Sequence, residues 1–251
     1  MRLSGKRAIV TGASKGLGAA IAIKFAAEGA RVAIADVDYD SGAAIAASII
    51  ADGGEALAYR LDVTREEDWS GLVGDLKRAW GGVDVLVNNA AIASGLVRIE
   101  DRSADGWDRS MAVNAKGPFL GTRAVLPLMR ANGGGAIVNV SSVAGLGQSQ
   151  IMDPAYACSK AAVTMLTRIT AAQHAADGVR CNSVHPGPID SPLARAAYPD
   201  EDAFERRVAR VPAGRMAKIE EVAEAVVYLA GDGSSYITGT GLAVDGGALV
   251  Q

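Results

Sequence analysis

The chain has 251 residues, of which 49% are hydrophobic and 21% charged, enough apolar material for a sizeable core and too much for a disordered or fibrous chain. Its 25 Lys plus Arg stand against 28 Asp plus Glu, a formal net charge of −3, and the basic residues are scattered, so no nucleic-acid partner is expected. No apolar run approaches the roughly 20 residues needed to cross a bilayer, no signal-peptide core follows the basic start, and the two cysteines and two histidines lack ligand spacing. The expectation is a cytoplasmic protein with no membrane partner and no metal site.

In chain order, short β-branched runs recur at Arg7 to Val10, Arg31 to Ala35, Glu55 to Arg60, Val83 to Val87, Ala136 to Val140, Val179 to Val184 and Leu242 to Val244. Several are apolar at nearly every position, as in parallel strands covered on both faces by helices. Ala-rich stretches of helical period separate them, at 17–29, 41–51, 66–80, 106–131, 155–176 and 219–230. No linker, fixed repeat or low-complexity tract divides the chain. The pattern predicts an α/β fold: a single doubly wound domain over 1–251, with a seven-stranded, mostly parallel sheet and helices on both faces. After the sixth strand the alternation is interrupted, and residues 190–212 form an excursion at the carboxyl edge of the sheet, where such folds bind ligands. Leu193, Tyr198, Phe204 and Val208 there, with Leu146, Ile151 and Met152, suggest an apolar cap over a hydrocarbon body.

The first strand runs into Thr11-Gly12-Ala13-Ser14-Lys15-Gly16-Leu17-Gly18 and then a helix. Gly12 permits a sharp turn, Gly16 a close approach of backbone to a pyrophosphate, and Gly18 close packing of helix on strand, with the helix N-terminus facing the anion. The placement makes this a dinucleotide-binding Rossmann turn, with Ser14, Lys15 and Leu17 in the cofactor loop. Asp36 ends the second strand, where a carboxylate accepts from both hydroxyls of an adenosine ribose and repels a 2′-phosphate. An aspartate that merely starts the next helix is the alternative. Lys15 alone speaks for NADP, and a loop ammonium does not offset a carboxylate at contact distance, so NAD is the expected cofactor.

The order of motifs resembles the short-chain dehydrogenase/reductase family, in its subtype of about 250 residues. The resemblance covers essentially the whole chain. It is carried by Thr11 to Gly18, Asp62-Val63, Asn88 to Ala91, Asn114, Ser141-Ser142, Tyr156 with Lys160, Asn182, Pro186-Gly187 and Val244 to Gly247. It implies that Asp62 and Val63 contact the adenine, that Asn89 and Ala90 line the cofactor, and that Pro186, Gly187, Ile189 and Ser191 lie on the nicotinamide side. It implies Asn114, Ser142, Tyr156 and Lys160 as the catalytic set, with Tyr156 and Lys160 also touching the cofactor. It also implies a homotetramer through the helices at 106–131 and 155–176, where Ala161, Ala162, Ala171 and Ala172 allow close approach. Ala91 stands where the family usually has glycine, and Ser142 precedes Tyr156 by one residue more than the commonest spacing.

The chemistry of that set follows from residue type. Tyr156 and Lys160 share a helix face. A phenol of pKa about 10 is a poor base at neutral pH, and a neighbouring ammonium favours the phenolate. Ser142 can hold a substrate oxygen while Tyr156 takes or gives its proton, and Asn114 is assigned a water relaying protons from Lys160. The reading is an NAD-dependent oxidoreductase interconverting a secondary alcohol and its ketone, on a hydrophobic small molecule. An NADP-preferring 3-oxoacyl-type ketoreductase and a catalytically idle NADH-sensing protein are the alternatives. His174 and His185 are expected in surface or loop roles, and Cys158 in packing.

Overall fold

The computed structural model describes residues 1–93, 95–147, 153–190 and 200–250, with backbone only at 201, 203 and 207. The strands are β1 (Arg7–Thr11), β2 (Arg31–Asp36), β3 (Glu55–Arg60), β4 (Val85–Asn88), β5 (Gly135–Val140), β6 (Val179–Pro186) and β7 (Gly241–Val244). They form one sheet in the order β3-β2-β1-β4-β5-β6-β7, and every neighbouring pair is parallel. Parallel neighbours need crossover connections, and the helices supply them.

Alternation along β1 divides the interior. Ala8 and Val10 face a core with Ile21 and Phe25 of α1 (Gly16–Ala27), Ile49 of α2 (Tyr39–Ala51) and Val222, Val226 and Leu229. Ile9, between them, faces the opposite core, with Trp69, Leu72 and Leu76 of α3 (Glu66–Trp80) and Leu120, Val125 and Met129. With both faces covered, the inner strands are apolar at nearly every position. Charge and capping set the helix limits: α3 opens on Glu66, Glu67 and Asp68, carries Lys77 and Arg78 in its last turn, and ends at Gly81 in the left-handed region.

The stretch expected as one helix over 106–131 is built in three parts. These are α4 (Ala104–Met111), a π-helical turn at Ala112–Lys116, and α5 (Gly117–Ala131). Asn114 lies in that turn, and such widened turns are common at functional sites. Beyond it run α6 (Pro154–His174), α7 (Glu201–Val208) and α8 (Ile219–Ala230). Of the four alanines expected at an interface, Ala171 is buried in the core instead. Ala161 and Ala172 are exposed, and so is Cys158, which was expected to pack. Of the cap, α7 lies within the described residues, with Phe204 buried. Leu193, Tyr198, Ile151, Met152 and Ser191 lie outside them.

No helix among the described residues is long and apolar enough to cross a membrane.

Candidate active site

The strand order reverses at β1, which pairs with β2 on one side and β4 on the other. The helices that follow β1 and β4 pack on opposite faces of the sheet, and folds of this kind leave a crevice at that point. Thr11 and Asn89 brace it. The Thr11 hydroxyl donates to the Val87 carbonyl and accepts from the N–H groups of Asn89 and Ala90 at 3.0 and 3.1 Å. The Asn89 amide in turn donates to the carbonyls of Thr11 and Gly12, at 2.9 and 3.1 Å. Asn89 therefore shapes the glycine loop directly.

Each glycine of that loop has its own reason. A Cβ on Gly12 would lie 2.7 Å from Ala90 Cα, and one on Gly18 only 2.1 Å from the Gly12 carbonyl oxygen. Gly16 has φ +56°, and a Cβ there would meet nothing of the protein within 4 Å. Gly12 and Gly18 thus keep the turn compact, and Gly16 leaves open space over the start of α1, where Lys15 is the extended residue preceding the helix. Inside the loop the Ser14 hydroxyl is buried with no hydrogen-bond partner. A buried orphan hydroxyl is costly unless a ligand completes it, and beside a bare helix N-terminus that ligand is an anion. These residues fit the diphosphate of a dinucleotide.

Asp36 closes the far side. Its carboxylate accepts from the Ser14 N–H at 3.0 Å and the Asp38 N–H at 3.0 Å. The N-cap of α2 is Asp38, whose carboxylate accepts from Ser41, so Asp36 is not there to start the helix. Asp62 follows β3 and accepts from the N–H and hydroxyl of Thr64, which hold it below the usual carboxylate range. Val63 is buried against Gly117, and its carbonyl accepts from the Trp69 indole. At the end of β6, the Gly187 N–H donates to the Val244 carbonyl at 3.0 Å, and a Cβ at Gly187 would lie 2.7 Å from Asp245 Cα. The Pro186-Gly187 turn is thereby pressed onto β7, with Ile189 beyond it bridged to Ala217.

The sheet brings Ser142, Tyr156 and Lys160 together. Asp153 caps α6, accepting from the Ala155 N–H at 2.9 Å, and pairs with Arg102 at 3.2 Å. Tyr156 and Lys160 then follow on one face. The Lys160 ammonium donates to the Val140 carbonyl at 2.8 Å and stands 5.6 Å from the centroid of the Tyr156 ring. Gly145 permits this packing, because a Cβ there would lie 2.7 Å from the Lys160 carbonyl carbon. Ser142 is buried just past β5, its hydroxyl accepting from the Ala144 N–H at 3.2 Å, and its side chain favours the ionised form of the Tyr156 phenol.

Burial raises the Tyr156 phenol, and the Ser142 side chain opposes the rise. Burial also lowers Lys160 to about 8, so its charge is lost more readily than that of an ordinary lysine. Within the chain alone, desolvation of the phenol outweighs the opposing effect of Ser142.

Asn114 is fully buried, but its amide does not turn to Lys160. Its oxygen accepts from the Ile92 N–H at 2.8 Å, and its nitrogen donates to the Ile92 carbonyl at 2.9 Å and the Ser159 hydroxyl at 3.1 Å. It clamps the segment after β4 to α6. His185 departs from the expected surface or loop role. It is completely buried in β6, with Nδ1 3.0 Å from the Ser142 carbonyl oxygen and Nε2 2.8 Å from the Ser183 hydroxyl. Fully apolar neighbours on either side in β6 were the available signal that this strand is covered on both faces.

A family profile described as Enoyl-(Acyl carrier protein) reductase matches residues 12–248. The 2,5-dichloro-2,5-cyclohexadiene-1,4-diol dehydrogenase LinX of Sphingobium indicum is 36% identical over 98% of this chain and 97% of its own. The chain belongs to the short-chain dehydrogenase/reductase family. The 3-alpha-(or 20-beta)-hydroxysteroid dehydrogenase of Mycobacterium tuberculosis is 40% identical over 99% of this chain and 91% of its own. The crystal structure of gox2181 superposes with a TM-score of 0.96 at 33% identity, covering 100% of this chain and 98% of that one.

Proposed function

We propose that this short-chain dehydrogenase/reductase is an NAD-dependent oxidoreductase that interconverts a hydrophobic secondary alcohol, cyclic by preference, with its ketone. The observation that carries the reading is the Lys160 ammonium 5.6 Å from the Tyr156 ring and tied to the Val140 carbonyl at the end of the strand that leads into buried Ser142. The relatives named for a cyclic diol and a hydroxysteroid support the cyclic preference.

Gly12, Ser14, Lys15, Gly16, Leu17 and Gly18 hold the diphosphate, Asp36 the adenosine ribose, Asp62 and Val63 the adenine, and Asn89 and Ala90 the crevice wall. Pro186, Gly187, Ile189 and Ser191 border the nicotinamide. When bound, the nicotinamide supplies the hydride acceptor for oxidation and the hydride donor for reduction. Ser142 holds the substrate oxygen by a hydrogen bond, and the Tyr156 phenolate takes the alcohol proton during oxidation and returns it during reduction. Lys160 stabilises that phenolate by its charge and bonds the nicotinamide ribose, while Asn114 fixes α6 against the segment after β4. The exposed side chains of α4, α5 and α6 pair between copies in a homotetramer, and the segment 190–212 caps the substrate. A panel of secondary alcohols, including cyclohexanol and a hydroxysteroid, assayed with NAD and with NADP at the absorbance of the reduced nicotinamide, tests the reading. Turnover of a cyclic alcohol with NAD supports it, and cofactor binding without turnover across the panel contradicts it.

A further inference from the structure

The buried imidazole of His185 has no part in the roles assigned so far. Its setting fixes its protonation. The Ser142 carbonyl can only accept, so Nδ1, 3.0 Å away, carries the hydrogen. The Ser183 hydroxyl then donates to Nε2 at 2.8 Å. Burial, with the charges of Arg168 and Lys160, holds the ring's pKa below its ordinary value and opposes a second proton.

The surroundings are cut to this ring. Ser183 and His185, two apart in β6, project to the same side of the sheet. Gly241, the first residue of β7, lies against the imidazole, and a Cβ there would come 2.6 Å from Nε2 and 3.0 Å from Cδ2. Pro186 follows and has no N–H to donate toward β5. The last regular register pair of β5 with β6 is Val140 with Val184. Past it, the Ser142 carbonyl receives two donors, the Gly145 N–H at 3.0 Å and the His185 ring. The first closes the turn after β5. The second ties the residue itself to the sheet.

We infer that His185 is a positioning residue for catalysis, fixing the Ser142 backbone through Nδ1 so that the Ser142 hydroxyl stays aimed at the Tyr156 phenol and the substrate oxygen. The inference rests on the role proposed above for Ser142, and acts only through it. Small displacements of a catalytic group are costly, about a hundredfold in rate for about 1 Å.

A double-mutant cycle between positions 185 and 142 tests it, using the secondary alcohol that the unmodified protein oxidises fastest with NAD. His185→Leu removes the donor, and His185→Asn keeps an N–H near the Nδ1 position. Gly241→Ala crowds the ring without changing its chemistry. The expected result is a fall in kcat of about tenfold or more for His185→Leu, with the dissociation constant of NADH, read by its fluorescence, within about twofold. His185→Asn should recover most of the loss, and Gly241→Ala should lower kcat in the same direction. In a Ser142→Ala background His185→Leu should cost little more. A His185→Leu penalty that is equal in both backgrounds, or a loss of NADH affinity that matches the loss of kcat, overturns the inference. If His185→Leu does not fold, the comparison of His185→Asn and Gly241→Ala in the two backgrounds decides by the same rule. Should Ser142→Ala alone leave kcat unchanged, it is the role of Ser142 that fails; a large Ser142→Ala loss with normal turnover in all the other variants sinks only the inference about His185.

Discussion

The main-chain N–H of Ser14 donates to the Asp36 carboxylate at 3.0 Å, so the loop proposed to receive the diphosphate and the group proposed to receive the ribose are one bonded unit. On the proposed binding mode the carboxylate also sets the loop, and a 2′-phosphate would meet a fixed negative charge. NAD should exceed NADP in kcat/KM by about tenfold or more. Asp36→Ala should narrow that gap and also weaken NAD binding, because the Ser14 N–H loses its partner. Steady-state kinetics with both cofactors check this, and equal use of both by the unmodified protein would count against it.

Gly16 separates fold from binding. Its positive φ makes Gly16→Ala destabilising by about 1 kcal/mol, yet no protein atom stands within 4 Å of the added Cβ. The Cβ instead enters the crevice, so NADH affinity should fall by tenfold or more while the urea midpoint moves little. Gly18→Ala, whose Cβ would lie 2.1 Å from the Gly12 carbonyl oxygen, should lower both.

Asn114 makes three hydrogen bonds while fully buried. Asn114→Ala leaves the N–H and carbonyl of Ile92 unpaired and should cost about 2 kcal/mol or more in urea unfolding. Asn114→Asp restores the acceptor and removes the donor, setting a carboxylate oxygen against the Ile92 carbonyl, and should be no better. Turnover should fall in both, since α6 loses its tie to the segment after β4.

Much of this was legible before any coordinates. Parallel strands covered on both faces write themselves as apolar runs, and the order of strand and helix then leaves few topologies, so the seven strands and the crevice at β1 followed. The glycine spacing after β1 and the four-residue step from Tyr156 to Lys160 carried the site. Long-range packing was not legible. Nothing local distinguishes Asp36 from Asp38 as a helix cap, and Ala171 differs from Ala172 only in which way the helix is turned. His185 was misread because its partners, Ser142 and Gly241, come from the turn after β5 and from β7.

The outer face of α5 and α6 exposes Phe119 at 45%, Met165 at 52% and Ile169 at 46%, large apolar groups of the kind that interfaces cover. Sedimentation at micromolar concentration should show a tetramer, and Met165→Glu should shift it to smaller species without unfolding the chain. A stable monomer from the unmodified protein contradicts the proposed assembly.

The central claim is that Tyr156 moves the proton, and the pH dependence of Tyr156→Phe tests it most directly. Burial holds the phenol of Tyr156 above its ordinary value. Oxidation needs the phenolate, so its rate should rise with pH through the alkaline range, and ketone reduction, which needs the phenol, should fall over the same range. With Lys160 titrating near about 8, the apparent constant belongs to the pair. Tyr156→Phe keeps the ring and loses the transferable proton, so oxidation should fall by at least about a hundredfold and the pH-dependent limb should vanish, with NADH binding preserved. Near-normal oxidation by Tyr156→Phe with the limb intact would contradict the account.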